Sequence, residues 1–247
     1  MYKMLSSAQI QEIARRNGIN PYYQEKDYLQ NIFLLNLYQK GKDLVFKGGT
    51  CLKLAYNYPR FSEDLDFNST LKPEKISILV RKTLHSFRFL GIKYEFMKEE
   101  LFEDSYTSKI RFYGPFHSGR IESTNSIQID AGKRDRVLLE PEWILVNSPY
   151  PDIPKYLVLA MKQEEILLEK IRALSERGMP RDLFDVWSML NSDVKLQREI
   201  LEKKLGTIEL KLKIPHEKKY ERDMGNLLAT FPPYRQVIRD IKVSLKI

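Results

Sequence analysis

The sequence predicts an α+β fold: a core of strands with flanking helices, followed by a helical C-terminal domain. Three observations predict it. Residues 92–98, 105–113 and 126–131 are rich in residue types that favour strands. Residues 162–175, KQEEILLEKIRALS, instead repeat their apolar groups at helical spacing. Between these regimes, residues 141–154 hold four prolines and read as an irregular connection. The joint is set near residue 150, giving a core over 1–150 and a helical domain over 151–247.

The elements follow in order. Residues 22–40, YYQEKDYLQNIFLLNLYQK, carry Tyr28, Ile32, Leu35 and Tyr38 at roughly helical spacing. DLVFK at 43–47 is a short strand, ended by Gly48-Gly49. Thr50 is expected to cap a helix running to about Tyr58, where Pro59 stops it. DLDFN at 64–68 alternates polar and apolar residues and reads as a strand. Pro73 opens a helix over about 74–90 with Ile76, Ile78, Leu79, Val80 and Leu84 on its apolar side, and Gly91 ends it. The strands at 105–113 and 126–131 are joined by GPFHSGRIESTN, a long hairpin loop, and Tyr156–Ala160 is a further short strand. After the 162–175 helix, Arg177-Gly-Met-Pro180 breaks the chain and a second helix spans Arg181–Leu190. The remainder reads as helices interrupted at Ile214-Pro215.

With 247 residues, 43% of them hydrophobic and 30% charged, the chain can bury a sizeable core and is too apolar to be disordered. Lys and Arg number 41 against 33 acidic residues, a formal net charge of +8. That balance favours a polyanionic partner such as RNA, although it also serves solubility alone. Cys51 is the one cysteine, so no intrachain disulfide can form and a reducing cytoplasm is expected. Three histidines without a CxxC argue against zinc. No run of about 18 apolar residues occurs, and the opening residues lack a signal-peptide core, so no membrane partner is expected.

Candidate chemistry gathers around GGTCLKLAYNYPRFSEDLDF at 48–67. Residues i and i+2 of a strand share a face, so Asp64 and Asp66 project together while Leu65 and Phe67 point to the core. Two such carboxylates repel unless water solvates them or a cation sits between them, and an isolated DxD pair is more often simply solvated. Magnesium, or manganese in its place, suits hard carboxylate oxygens completed by substrate phosphates. In two-metal transfer one ion activates the attacking hydroxyl and the other steadies the leaving oxygen. Asp130, at the end of SIQID, is the candidate third carboxylate; Asp135 and Asp152 compete from loop-like sequence.

Gly48-Gly49-Thr50 lies between a strand and a helix, where backbone N–H groups and the helix dipole attract an anion. Gly49 allows close approach and Thr50 offers a hydroxyl, with Lys47 and Lys53 nearby. This is no Walker motif, and a Gly-Gly pair alone is usually a turn. Arg60 offers a phosphate fork and Ser62 a hydroxyl just ahead of the acidic pair. Lys170 borders the apolar stripe of Leu167, Ile171 and Leu174, from which it can reach a triphosphate or merely snorkel to water. Asp182 sits in the first turn after Pro180, where the dipole favours it; it or Asp185 can also orient Lys170 or take a proton.

The order FKGGTCLKLAY, RFSEDLDF, SIQIDAG, EEILLEKIRAL and RDLFDVW resembles the AbiEii/AbiGii-type nucleotidyltransferase toxins, which are related to the MenT toxins and to the DNA polymerase β-like superfamily. QEKDYLQNIFL resembles that family's opening helix, and the likeness runs over roughly 22–190. It implies a mixed-sheet nucleotidyltransferase core followed by a helical domain. It implies a small-residue phosphate motif at Gly48, Gly49 and Thr50, and a Ser-x-Asp-x-Asp motif at Ser62, Asp64 and Asp66. The phosphate-binding lysine falls on Lys170, the following acidic motif on Asp182, and the third carboxylate on Asp130. Cys51 replaces a common alanine; it is also small and apolar. The resemblance further implies an NTP substrate, a cellular acceptor such as the tRNA 3′ end, and a cognate antitoxin. Two other readings stay open: a non-catalytic module that binds RNA or antitoxin, and phosphoryl transfer to a protein Ser or Thr.

Overall fold

The alternation in LDFN builds the centre of a seven-stranded mixed sheet. The computed structural model describes residues 4–133, 137–192, 194–196, 198–205 and 212–245. In it, β1 (Val45–Lys47) pairs antiparallel with β2 (Leu65–Asn68) and parallel with β7 (Tyr156–Ala160). β5 (Asn125–Gly132) runs parallel to β2 on its other side. β4 (Ser105–Tyr113) and β3 (Lys93–Leu101) extend that edge antiparallel, and β6 (Glu142–Val146) closes the opposite edge. The order is β3-β4-β5-β2-β1-β7-β6. Phe46, Leu65, Phe67, Ile127, Ile129 and Ala131 alternate into the core. Two long helices, α2 (Pro21–Tyr38) and α4 (Pro73–Phe89), pack on this sheet, and α3 (Gly48–Tyr56) links β1 to β2.

Three expectations need correction. Ile78 of α4 is exposed, because two residues from Ile76 it falls on the far side of a helix whose buried stripe is Ile76, Leu79, Val80 and Leu84. The irregular connection over 141–154 contains β6, because EWILV is a β-favouring run between Pro141 and Pro149. An edge strand needs a ladder on one side only, so flanking prolines are tolerated. The sequence reading also missed α1 (Ser7–Asn17). Its start is written in Ser6 and Gln9, which form a reciprocal capping box.

The chain divides into two compact units, one of Met1–Val137 with Pro141–Ala160 and one of Leu138–Glu140 with Met161–Ile247. Strand β7 belongs to the sheet, so the first unit runs past residue 150 to Ala160. The second unit contains α5 (Gln163–Arg177), α6 (Pro180–Leu190), α7 (Arg198–Leu205), α8 (Glu217–Gly225) and α9 (Tyr234–Leu245). Gly178 ends α5 with φ 59°, a left-handed conformation that glycine takes without strain. Helix α6 packs against α5, α8 and α9, and Trp187 donates its indole N–H to Asp240 at 3.1 Å. Buried Glu165 accepts the backbone N–H groups of Leu138 and Leu139, each at 2.9 Å, and pairs with Lys204 at 2.8 Å. Among the described residues no helix is long and apolar enough to cross a membrane.

Helix α2 carries an unusual stripe. Tyr23, Lys26, Asp27 and Gln30 fall at i, i+3, i+4 and i+7, so they share one face. The last three are buried. Tyr23 stacks on Phe61 with ring centroids 4.8 Å apart, and Lys26 pairs with Glu63 at 2.7 Å. The Gln30 amide donates to the carbonyls of Ser62 and Glu63 at 3.2 and 2.8 Å. Asp27 pairs with Lys53 of α3 and accepts the Tyr150 hydroxyl at 2.7 Å. Next to this stripe, Glu25 accepts the Phe116 N–H at 2.7 Å and the Asn125 amide at 3.2 Å, holding both ends of the β4–β5 loop.

A buried charge that loses its partners is costly. Asp27→Ala strands Lys53 and leaves the Tyr150 hydroxyl with the Gln24 carbonyl alone as acceptor, and should lower unfolding free energy by about 3–5 kcal/mol in a denaturant titration. Burial pushes the Glu25 carboxyl above its ordinary value of 4.5, although the Phe116 and Asn125 donors oppose this. The contribution of a carboxyl raised in the folded state is complete below the unfolded pKa and is lost as pH rises through the folded one. Glu25→Gln should therefore gain stability relative to wild type as pH rises above about 4.5, read as the difference in urea midpoints.

Candidate active site

Strand register gathers the acidic residues. Lys47 of β1 is opposite Asp66 of β2, Asp66 is level with Asp130 of β5, and Asp130 is opposite Thr107 of β4. Neighbouring strands lie about 4.8 Å apart, so the Asp66 and Asp130 side chains project side by side from the face opposite the core. A small cavity of about 90 Å³ opens there, lined by Lys47, Asp66, Ser105, Asp130 and Gly132 among others. Both Asp130 oxygens are held: Oδ1 accepts the Thr107 hydroxyl at 2.5 Å and Oδ2 the Gln128 amide at 2.9 Å. Asp64 immediately precedes β2 and is half-buried, as is Asp66, while Leu65 and Phe67 are buried.

The small residues pack tightly against this row. Gly48 has φ +76°, and a Cβ there would strike the Asp66 carboxylate. A Cβ on Gly49 would strike the Arg60 guanidinium and sit 2.7 Å from the Ser62 Oγ. Gly48, Gly49, Arg60, Ser62 and Asp66 thus share one place. Thr50 departs from its expected capping role. Lys47 holds the N-cap position of α3 without a side-chain cap bond, and Thr50 lies in the first turn. Its buried hydroxyl donates to the Asp64 carbonyl, so it fixes the entry to β2. The first-turn amides of a helix lack partners within it, so this end attracts an anion.

Among the described residues, no three His, Cys, Asp or Glu side chains form a group able to hold a metal ion. Magnesium does not require three. One or two carboxylates, completed by substrate phosphates and water, meet its octahedral preference, and the hard oxygens of Asp66 and Asp130 fit that chemistry. Of the competing carboxylates, Asp152 accepts the Tyr28 hydroxyl at 2.5 Å and lines a separate cavity with Ile32 of α2. Asp135 lies outside the described residues. Lys53 is paired with Asp27.

The helical unit holds its own charge cluster. Lys170 of α5 is buried and pairs with Asp185 of α6 at 2.8 Å, with Asp182 at 3.8 Å. Asp182 is buried and takes a two-pronged clamp from Arg177, Nε to Oδ2 at 2.7 Å and the second guanidinium nitrogen to Oδ1 at 2.8 Å. An ammonium carries three donors, and Asp185 takes one of them. The sequence reading saw the 177–180 segment only as a break and missed Arg177 as a clamp. It also missed Thr107, which only register reveals, and Gln128, whose place two residues before Asp130 put it on the same strand face.

A family model for the nucleotidyl transferase AbiEii toxin of type IV toxin–antitoxin systems matches residues 32–237. The chain belongs to the AbiEii family. As an AbiEii-family protein it is a nucleotidyltransferase. Among solved structures, MenT4, a nucleotidyltransferase toxin from Mycobacterium tuberculosis H37Rv, superposes with a TM-score of 0.69 at 18% identity, covering 98% of this chain and 90% of that one. JHP933 from Helicobacter pylori gives 0.63 at 19% identity, covering 92% of each chain. At these identities the likeness shows a common fold. No curated protein matches the chain.

In this AbiEii-family site Gly48 tolerates no side chain. Gly48→Ala should cost about 1–3 kcal/mol of stability, because it combines a positive φ with a clash at Asp66. Thermal unfolding of the variant against wild type measures it.

Proposed function

We propose that this chain transfers a nucleotide from an NTP to an RNA acceptor such as the tRNA 3′ end, with magnesium as cofactor and a cognate antitoxin as partner. The observation that carries the reading is the in-register Asp66–Asp130 pair beside the uncapped start of α3. Asp66 and Asp130 would supply the oxygen ligands, completed by substrate phosphates and water with Asp64 as the neighbouring acid, and manganese can substitute for magnesium. When bound, the metal lowers the pKa of the attacking hydroxyl and offsets charge on the leaving oxygen.

The chain's own groups do the rest. The first-turn amides at Gly48, Gly49 and Thr50 receive phosphate oxygens, with Ser62 and Arg60 beside them. Lys170 is assigned to the phosphates, Asp185 and Asp182 holding its ammonium and Arg177 holding Asp182. Thr107 and Gln128 aim the Asp130 carboxylate. The acceptor hydroxyl forms the new bond to the α-phosphorus as the α–β phosphoanhydride bond breaks, and pyrophosphate leaves. The net charge of +8 suits a polyanionic acceptor.

Incubating the protein with α-labelled NTPs, total tRNA and Mg²⁺ tests the reading. Wild type should label RNA, while Asp66→Asn and Lys170→Ala should each lose about a hundredfold or more. Equal labelling by wild type and Asp66→Asn would refute it. Thr107→Val should keep the site but weaken metal binding roughly 10–100-fold, read as a higher Mg²⁺ midpoint for labelling.

A further inference from the structure

The rows of the sheet give the site a direction. β1 runs from Val45 through Lys47 into Gly48, so the phosphate-binding turn lies on one side of the Lys47–Asp66–Asp130–Thr107 row. On the other side, two residues along and on the same face, lies the row Val45–Asn68–Gly132–Ser105. Beyond it opens a cavity of about 530 Å³, lined by Asp43, Val45, Asn68, Ser69, Thr70 and Lys133 among others. Its floor is tied together: Ser69 donates its N–H to the Gly132 carbonyl at 3.1 Å, and the Lys133 N–H bonds the Asp104 carbonyl at 3.0 Å. Thr70 and Lys133 are exposed.

In-line displacement requires the nucleophile to enter opposite the leaving group. With pyrophosphate held toward Gly48–Thr50, the attacking hydroxyl must come from the Asn68–Gly132 side, where this groove lies. The groove has a volume ordinary for a ligand site. Its lining mixes the polar Asn68, Ser69 and Thr70 with the apolar Val45 and Val137, and its two charged residues, Asp43 and Lys133, are of opposite sign. That chemistry suits a ribose and a single phosphodiester better than a triphosphate, so the groove does not read as a second NTP site.

We propose that this groove seats the 3′-terminal nucleotide of an RNA acceptor, with Lys133 pairing its phosphate and Thr70 at its rim. The assignment rests on the nucleotidyl-transfer reading above and adds the place of the acceptor to it.

The test compares wild type, Lys133→Glu and Thr70→Trp in steady-state labelling of total tRNA, with binding of Mg²⁺–NTP alone by equilibrium dialysis alongside. Both positions are exposed, so folding should survive, and circular dichroism checks this. Lys133→Glu should raise KM for RNA about tenfold and reduce the salt slope of RNA binding by about one, leaving NTP binding unchanged. Thr70→Trp should fill the groove and cut RNA labelling while NTP binding persists. Unchanged KM for RNA in both variants would overturn the groove assignment while the transfer reading stood. Weakened NTP binding in either would overturn it too, by making the groove part of the nucleotide site. If wild type labels no RNA, the transfer reading fails first and the groove loses its occupant with it.

Discussion

The buried polar stripe of α2 is the constraint on which the rest of the site depends. Lys26, Asp27 and Gln30 occupy a helix face that would ordinarily be apolar. Their burial is tolerable because their donors and charges find partners: Glu63, then Lys53 with Tyr150, then the carbonyls of Ser62 and Glu63, with only the Gln30 Oε1 of the three left without one. Such a network gains little over well-packed apolar groups, yet it fails badly when half satisfied. Its value here is geometric. It fixes the 61–63 segment and α3 to one rigid helix, so the residues before β2 have a single placement. Thr50 completes the fastening by bonding the Asp64 carbonyl from inside α3.

Given that platform, the acidic row follows from register. Asp66 and Asp130 are level on parallel strands, and both project from the polar face. Their mutual repulsion is a cost that water or a cation must relieve. Lys47 stands in the same row, and the Thr107 and Gln128 donors hold the two Asp130 oxygens in place. The result is a pair of oriented carboxylates beside a helix start whose first position, Gly48, combines a positive φ with close contact to Asp66. Preorganisation of this kind is what phosphoryl and nucleotidyl chemistry chiefly needs, because the reaction asks for positioning and charge stabilisation more than for a covalent step. In the helical unit, the Arg177–Asp182 clamp and the Lys170–Asp185 pair use the same device.

Much of this was legible in the sequence, and the limits have physical causes. Alternation in LDFN and SIQID announced strands and faces, because a period of two is a local property. The EEILLEKIRAL stripe announced α5 and placed Lys170 at the border of the core. Five ordered motifs announced the family. What could not be read was pairing between distant segments. Nothing local shows that Thr107 faces Asp130, or that Gln30 reaches Ser62. Thr50 was misread because capping preferences are local, whereas its hydroxyl is claimed by a carbonyl fourteen residues on. The polar stripe of α2 was invisible for a similar reason: charged residues at helical spacing normally mark a solvated face.

The central claim is that the bond broken is the one between the α- and β-phosphates, at the Asp66–Asp130 row. Intact-mass analysis of the acceptor after reaction tests it most directly, with the released phosphate species measured in the same sample. The account predicts an acceptor heavier by one nucleoside monophosphate and an equal amount of pyrophosphate. An acceptor heavier by one phosphate, with nucleoside diphosphate released, would contradict it.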